Sequence, residues 1–306
     1  MNKKIISIIC PVYNDAESII IFYDRFKKTV SIYEDSIDFQ LIFTNNASSD
    51  NSLNVMESLC KKDNSINILT LSRNFGYQKS MLAGLNYAKG DACICIDVDC
   101  EDPPEMIPKF IDNWLDGYSL VYGERIKRDE PVLIQWCRKI FYNILNKVSD
   151  YDNVPYMAEF CIFSKEIKDI IISNNSTFPF IRNELAFAGF RRKKIEYNRE
   201  RRSVGESHYN IFSMAKFAVA GILTASTWPL RLIMYVSIPL IFINIISIFL
   251  YMFNDFNIIS IIAIDMIYFI MASSFISVYV ARIYQDIVSR PKYIINWNES
   301  IFNNPK

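Results

Sequence analysis

ACICIDVDCEDPPE, residues 92–105, decides the fold. An apolar run over 92–96 ends abruptly in Asp97 and Asp99, followed by Glu101, Asp102 and two prolines. This is a buried strand that delivers carboxylates at its carboxyl end. Side chains alternate along a strand, so Asp97 and Asp99 share one face while Val98 points the other way. Hard divalent cations take oxygen ligands, and Mg²⁺ uses one or two carboxylates together with substrate phosphates. Asp97, Asp99 and Glu101 are therefore candidate ligands for Mg²⁺ or Mn²⁺. The competing reading is a solvated acidic turn that caps the helix after Pro104.

Upstream, the same pattern of apolar run, polar turn and helix repeats. Residues 5–10 form a run suited to a strand buried on both faces. Pro11 stops it, and Asn14 or Asp15 caps a helix to about Tyr33. Residues 39–44 are a second strand, and NNASSDNS (45–52) turns into a helix capped by Ser49 or Asp50 that reaches Cys60. Residues 66–71 are a third strand, and SRNFGYQKS (72–80) leads into a helix over 79–88. The βαβαβαβ order predicts an α/β fold with a mainly parallel sheet and helices on both faces. Ligands bind such sheets at the carboxyl ends of the strands. Residues 11–15, 45–50, 72–76 and 97–102 all occupy those ends and share one crevice. There is no G-x-G-x-x-G after the first strand and no G-x-x-x-x-G-K-[ST] anywhere, which disfavours a dinucleotide site and a P-loop.

Downstream, residues 104–115 read as a helix and GYSLVYGER (117–125) as a strand ending in Arg125. Residues 131–148 are an amphipathic helical stretch. Residues 191–202, RRKKIEYNRERR, hold seven Arg or Lys and two Glu, and read as a basic loop running into a Gly-containing loop. Residues 210–227 carry one charge, Lys216, and suit a helix lying along a membrane surface. Residues 232–253 and 258–280 are 22 and 23 residues of almost unbroken apolar sequence, enough to cross roughly 30 Å of hydrocarbon at about 1.5 Å per residue. The NDFN link (254–257) is short, so the two form a tight hairpin. Arg231 precedes the first span, and Arg282, Arg290 and Lys292 follow the second, while the turn has no Lys or Arg. By the positive-inside rule both ends of the hairpin are cytoplasmic. Asp265 lies inside the second span, where it snorkels or faces a partner helix. Ser273 and Ser277 offer a small-residue packing face.

Composition narrows the class. The chain has 306 residues, 51% of them hydrophobic, and zero formal net charge, so no global basic field argues for nucleic acid. Seven cysteines without C-x-x-C spacing and a single His make a zinc site unlikely and suit a reducing cytosol. The amino-terminal apolar stretch is too short for a signal peptide and reads as the first strand. A cytosolic α/β domain with an acidic metal site, a basic stretch and a membrane hairpin implies a phosphate-bearing substrate and a lipid. The metal would hold a diphosphate, and arginines, whose planar forks bind phosphate oxygens in pairs, a second phosphate near the bilayer. The basic stretch also suits anionic headgroups.

The matching segments PVYND (11–15), LSRNFGYQKSMLAG (71–84), DVDCEDPPE (97–105), GYSLVYGER (117–125), YNRERRSVGESHY (197–209), WPLR (228–231) and IYQDIVSRPKY (283–293) run in order over nearly the whole chain. In these segments it resembles the polyisoprenyl-phosphate glycosyltransferases, which include dolichol-phosphate mannosyltransferase and bactoprenol glucosyltransferases. The resemblance implies a GT-A fold over 1–209, a juxtamembrane helix over 210–231, two transmembrane helices within 232–280 and a cytosolic tail over 281–306. It implies inverting transfer of a hexose-type sugar from a nucleotide sugar to a polyprenyl phosphate, undecaprenyl-like, at the cytoplasmic membrane face. By position, Pro11, Tyr13, Asp15, Asn45, Asn46 and Asp97 would line the nucleotide-sugar pocket. Asp99 with Asp97 and Glu101 would hold the metal. Arg125, Arg199, Arg202, Ser207, His208 and Tyr209 would meet donor or acceptor phosphates, the 205–209 loop closing over the site. Asp99, Glu159 and Asp102 are the candidate catalytic carboxylates. Self-association is also implied.

The chain departs from the family pattern in places. Asn45 and Asn46 stand where two acidic residues are usual, and Glu101 where a Gln is common. The family's G-D-F-R-L appears as AEFCI (158–162), so Glu159 keeps an acid but Cys161 replaces an arginine. His208 stands for a Lys. Two rivals follow: a transferase acting on a glycolipid hydroxyl, which would need Glu159 or Asp102 as general base, and a non-catalytic binding protein on the same fold.

Overall fold

The computed structural model describes residues 3–126, 157–174, 179–200, 226–253, 258–288 and 290–303, with Ser176 and a few positions between 136 and 154. Strand β1 (Lys4–Val12) is buried along almost its whole length. It lies between β2 (Ile37–Asn45) and β4 (Ala92–Cys95), parallel to both, and β3 (Ile66–Thr70) pairs parallel to β2. These strands hold the expected cores and extend β1 and β2 by one or two residues at each end. Beyond them β5 (Leu120–Arg125), β6 (Met157–Ser164) and β7 (Arg192–Tyr197) complete a seven-stranded sheet in the order β3-β2-β1-β4-β6-β5-β7. β6 runs antiparallel to β4 and β5, and β7 parallel to β5.

The two-residue period of the strands divides the core. Ile6, Ile8, Cys10 and Phe43 face helices α1 (Ala16–Val30), α2 (Ser52–Cys60) and α4 (Ile107–Leu115), through Phe22, Phe26, Met56 and Phe110. Ile9, Ile42, Cys93 and Cys95 face α3 (Tyr77–Tyr87) and the helices Lys165–Ser173 and Ile181–Phe187, through Met81, Leu85, Ile167 and Leu185. Each fully buried side chain of this kind contributes about 1.5–3 kcal/mol. The result is the expected three-layer α/β fold, with the carboxyl ends of β1 to β4 on one side.

The structure corrects the reading of the basic stretch. Residues 192–197 are not a loop but the edge strand β7, whose exposed residues are mostly charged. The helix expected from Pro104 begins as a 3₁₀ turn, Pro104–Met106, before α4.

Two long helices, Trp228–Phe253 and Ile258–Val288, are apolar and long enough to cross a membrane. The first starts earlier, and the second ends later, than the apolar runs alone suggest. Asp265 faces the partner helix: Asn244 Nδ2 donates to both of its carboxylate oxygens at 3.1 and 3.0 Å. Tyr268 Oη donates to the Ile233 carbonyl at 2.7 Å. Asp150 accepts from Thr227 N and Arg231 Nη2, each at 2.7 Å, tying down the start of the first helix. The NDFN link, the 210–225 portion of the expected interfacial helix and most of 131–148 lie outside the described residues.

The stretch after the hairpin is not a loose tail. It runs antiparallel along the edge of β3, with bridges Ile68↔Ile301 and Leu71↔Ile295. Ile301 N donates to Ile68 O at 2.9 Å, Asn296 N to Thr70 O at 2.8 Å and Ser72 N to Ile294 O at 2.9 Å. Ile301 packs on one core face and Ile295 and Phe302 on the other.

Candidate active site

The crevice at the strand ends is built from loops that hold one another. Asn14 N and Asp15 N donate to Ser48 Oγ and Ser52 Oγ, both at 3.1 Å, and Ala16 N to Asp50 Oδ2 at 3.2 Å. Asn14 Oδ1 accepts from Ser49 N at 2.8 Å. Tyr13 stands above these loops, 41% exposed. Asn45 and Asn46 are buried, and both are engaged within the fold. Asn45 Oδ1 accepts from Ser48 N at 3.0 Å, and Asn46 bridges Asn74 Oδ1 (3.0 Å) and Phe75 N (2.9 Å). An amide suits Asn46 because it must donate and accept at once, which a carboxylate cannot do.

Asp97 and Asp99 enter the crevice just beyond β4. The Tyr77 hydroxyl donates to Asp97 Oδ1 at 2.8 Å. Burial first, then repulsion from Asp99 and Asp102, pushes Asp97 up to about 7, against the pull of Tyr77 and Arg125. The oxygen donors of Asp97 and Asp99 fit a hard divalent cation. Asp99 Oδ1 accepts from Glu101 N at 3.1 Å, across Cys100 with its φ of 57°. Glu101 does not gather with the aspartates. Its carboxylate is paired with Arg199, and Glu200 N donates to the Glu101 carbonyl at 2.9 Å. Among the described residues no three His, Cys, Asp or Glu side chains form a metal-holding group. Arg25 donates to Glu105 at 2.8 and 2.6 Å and also meets Glu200 at 3.1 Å, so the segment after β7 is fastened to the loop after β4.

Asp102 turns away from this crevice into the sheet. It is 1% exposed and accepts from Arg125 Nε at 3.1 Å and Nη2 at 2.7 Å, and from the Tyr197 hydroxyl. The charge of Asp102 keeps Arg125 protonated despite burial, and burial together with Asp102 raises Tyr197 above the usual tyrosine range. Gly123 makes this possible, because a Cβ there would lie 2.4 Å from Tyr197 Cε1. Asp102 and Arg125 thus form a buried ion pair, an arrangement suited to fixing the end of β5 rather than to proton transfer.

Glu159 projects from β6 on the α3 side. Its Oε1 accepts from Gln78 Nε2 at 3.3 Å and from Arg182 Nη2 at 3.0 Å. Tyr77, Gln78, Arg182 and Tyr197 are the site residues that sequence reasoning missed. Gln78 and Tyr77 open α3 directly after Gly76, a position readable in retrospect from the glycine. Arg182 carries no local signal, since its partner lies on another element. Arg202, Ser207, His208 and Tyr209 lie outside the described residues.

The glycosyl transferase family 2 model matches residues 7–170. The chain belongs to this family. An uncharacterized glycosyltransferase of Bacillus subtilis, YkcC, is 32% identical over 97% of this chain and 95% of its own. The SfII prophage-derived bactoprenol glucosyl transferase of Shigella flexneri is 31% identical over 95% of this chain and 97% of its own. Glucosyl-3-phosphoglycerate synthase of Mycobacterium tuberculosis, solved with Mn²⁺, uridine diphosphate and phosphoglyceric acid, superposes with a TM-score of 0.54 at 16% identity, covering 72% of this chain and 78% of that one. The fold is therefore of the GT-A type, and the protein is a glycosyltransferase.

Proposed function

We propose that the protein moves a hexose-type sugar from a nucleotide sugar to a polyprenyl phosphate, with inversion, at the cytoplasmic face of a membrane. The observation that carries this reading is the fastening of the basic segment that leads toward the apolar hairpin onto the acidic loop after β4, through Arg199 to Glu101 and Arg25 to Glu105 and Glu200. The contact supports a phosphate-binding role for Arg199, whose partner Glu101 lies two residues from Asp99 in the loop after β4. The bactoprenol glucosyl transferase relative supports the same acceptor class.

The acceptor phosphate has a second pKa near 6, so it is mostly dianionic at pH 7 and needs no general base. One of its oxygens attacks the anomeric carbon from the face opposite the leaving group, and the bond from that carbon to the nucleotide diphosphate breaks. Asp97 and Asp99 would hold Mg²⁺ or Mn²⁺, which supplies charge neutralisation for the departing diphosphate. Tyr77 orients Asp97, and Arg199, with Arg202, Ser207, His208 and Tyr209 further along the sequence, receives phosphate oxygens. Pro11, Tyr13 and Asp15 line the nucleotide side. Catalysis then rests on positioning. The Ser273 and Ser277 face of the hairpin offers a surface for self-association.

The test is a donor panel: membranes containing the protein, undecaprenyl phosphate, Mg²⁺ or Mn²⁺, and several labelled sugar nucleotides, with product read in the lipid phase. Asp99→Ala abolishes the label, and Glu159→Gln leaves measurable transfer. An active Asp99→Ala enzyme overturns the reading.

A further inference from the structure

We propose that Arg182 is a positioning residue that, with Gln78, fixes Glu159 so that its second carboxylate oxygen reads one hydroxyl of the transferred sugar. The inference rests on the glycosyl-transfer reading above and concerns how that site selects its donor.

The first observation is register. β4 and β6 pair antiparallel with Ala92 opposite Ser164 and Cys95 opposite Cys161. Glu159, two residues from Cys161 and two from Met157, falls on the face of β6 that is shared with Tyr77. Consistent with this, Asp97 and Glu159 both act electrostatically on the Tyr77 hydroxyl. Glu159 therefore borders the crevice at the carboxylates proposed to hold the metal, where the sugar carried by the diphosphate must lie.

The second observation is how Glu159 is held. Both of its hydrogen bonds fall on Oε1, from Gln78 at 3.3 Å and Arg182 at 3.0 Å. Among the described residues none falls on Oε2. The side chain is only 14% exposed and that of Arg182 23%, so the pair is largely shielded. Gln78 is itself fixed, its Oε1 accepting from Ile181 N at 3.0 Å, one residue before Arg182. Adjacent residues of α3 thus clamp two carboxylates, Tyr77 on Asp97 and Gln78 on Glu159, while Arg182 closes the second clamp from another helix. A carboxylate with one oxygen immobilised presents the other as a hydrogen-bond acceptor of fixed direction, the chemistry that recognises a sugar hydroxyl. Such a site rejects an analogue lacking the hydroxyl, because the acceptor is then left buried and unpaired.

The experiment uses the full chain in membranes, with the sugar nucleotide that labels the lipid in the donor panel (UDP-glucose first) and its monodeoxy analogues. In the parent, one deoxy donor loses about 10- to 100-fold in kcat/KM, the worth of a hydrogen bond to a charged group. In Glu159→Gln and Arg182→Ala that ratio falls to within about threefold of unity, while the ratios for the other deoxy donors are unchanged. Arg182→Lys keeps the charge but not the fork, and restores part of the discrimination, which a merely structural role would not do. It also serves as the test if Arg182→Ala does not fold. Lipid product with no discrimination in the parent, or with discrimination unaltered in the variants, overturns this inference alone. No lipid product from any donor overturns the transfer reading beneath it.

Discussion

Replacing Asp102 by Asn separates a structural role from a chemical one. The side chain is 1% exposed, and its two oxygens meet Arg125, whose own side chain is 16% exposed, at 3.1 and 2.7 Å. The substitution keeps the shape but leaves the guanidinium charge without its counter-ion inside the sheet. Removing one partner of a buried pair costs about 3–5 kcal/mol. At about 1.4 kcal/mol per decade this is a factor of roughly 10² to 10³·⁵ in the folding equilibrium, a large part of the ~5–15 kcal/mol that holds a domain together. Arg125→Met alone should cost a comparable amount. The double variant Asp102→Asn with Arg125→Met buries no charge, and its loss should be at least ~2 kcal/mol smaller than the sum of the single losses. Denaturant unfolding of the detergent-solubilised protein, followed by circular dichroism and intrinsic fluorescence, gives the four free energies. If Asp102→Asn keeps its stability within ~0.5 kcal/mol yet transfers no sugar, or if the two losses simply add, the structural reasoning is wrong and Asp102 acts on the substrate.

Three other outcomes are expected. Gly84→Ala would place a Cβ 2.5 Å from Ile9 Cγ2 and 2.9 Å from Thr44 Cγ2. It should lower the thermal midpoint, since overpacking costs about 1–3 kcal/mol against roughly 1 kcal/mol of better helix propensity; a raised midpoint would show that α3 sits looser on the sheet. Burial opposes ionisation of Asp63, but hydrogen bonds from Ser65, Lys27 and Tyr23 outweigh it and hold the carboxyl at about 2. Its contribution is complete above the unfolded value of about 3.9 and vanishes as pH falls through the folded one. Asp63→Asn should therefore cost ~1 kcal/mol at pH 7, after solvent screening, and nothing at the lowest pH, as read from unfolding curves across that range. Asn244→Leu leaves Asp265 without the donor that meets both its oxygens. The SDS-induced unfolding of the hairpin should shift by the equivalent of about 1–2 kcal/mol, and an unmoved midpoint would remove this pair from the account of the hairpin.

The first half of the fold was legible because parallel strands buried on both faces write themselves as continuous apolar runs, as in residues 5–10 and 92–96, each closed by a polar turn. β6 was readable in principle, since MAEFCIFS is apolar enough for a strand, but its antiparallel entry beside β4 breaks the alternation that identified the others. β7 left no apolar signal, because an exposed edge strand is protected by charge, and Arg192, Lys193 and Lys194 read as a basic patch instead. The crevice was legible in Asp97 and Asp99, whose places follow from strand alternation. Asn45 and Asn46 read as changed ligands because the sequence cannot show that Asn74 and Phe75 wait across the loop. Asp102 looked catalytic for the same reason: its partners Arg125 and Tyr197 come from two later strands.

The backbone pairing of Ile295 and Ile301 with the edge of β3 also sets an order of assembly. Those residues leave the ribosome after both apolar helices, so until then the Ile68 and Thr70 amides have no strand-edge partner and the sheet offers a sticky border. With the two helices spanning a membrane as proposed above, the last strand-like segment can reach that border only when the hairpin returns the chain to the side on which the sheet has folded. A copy whose second helix fails to insert would keep an unfinished edge, marked for aggregation or proteolysis. Under that topology the tail would act as a checkpoint on membrane insertion.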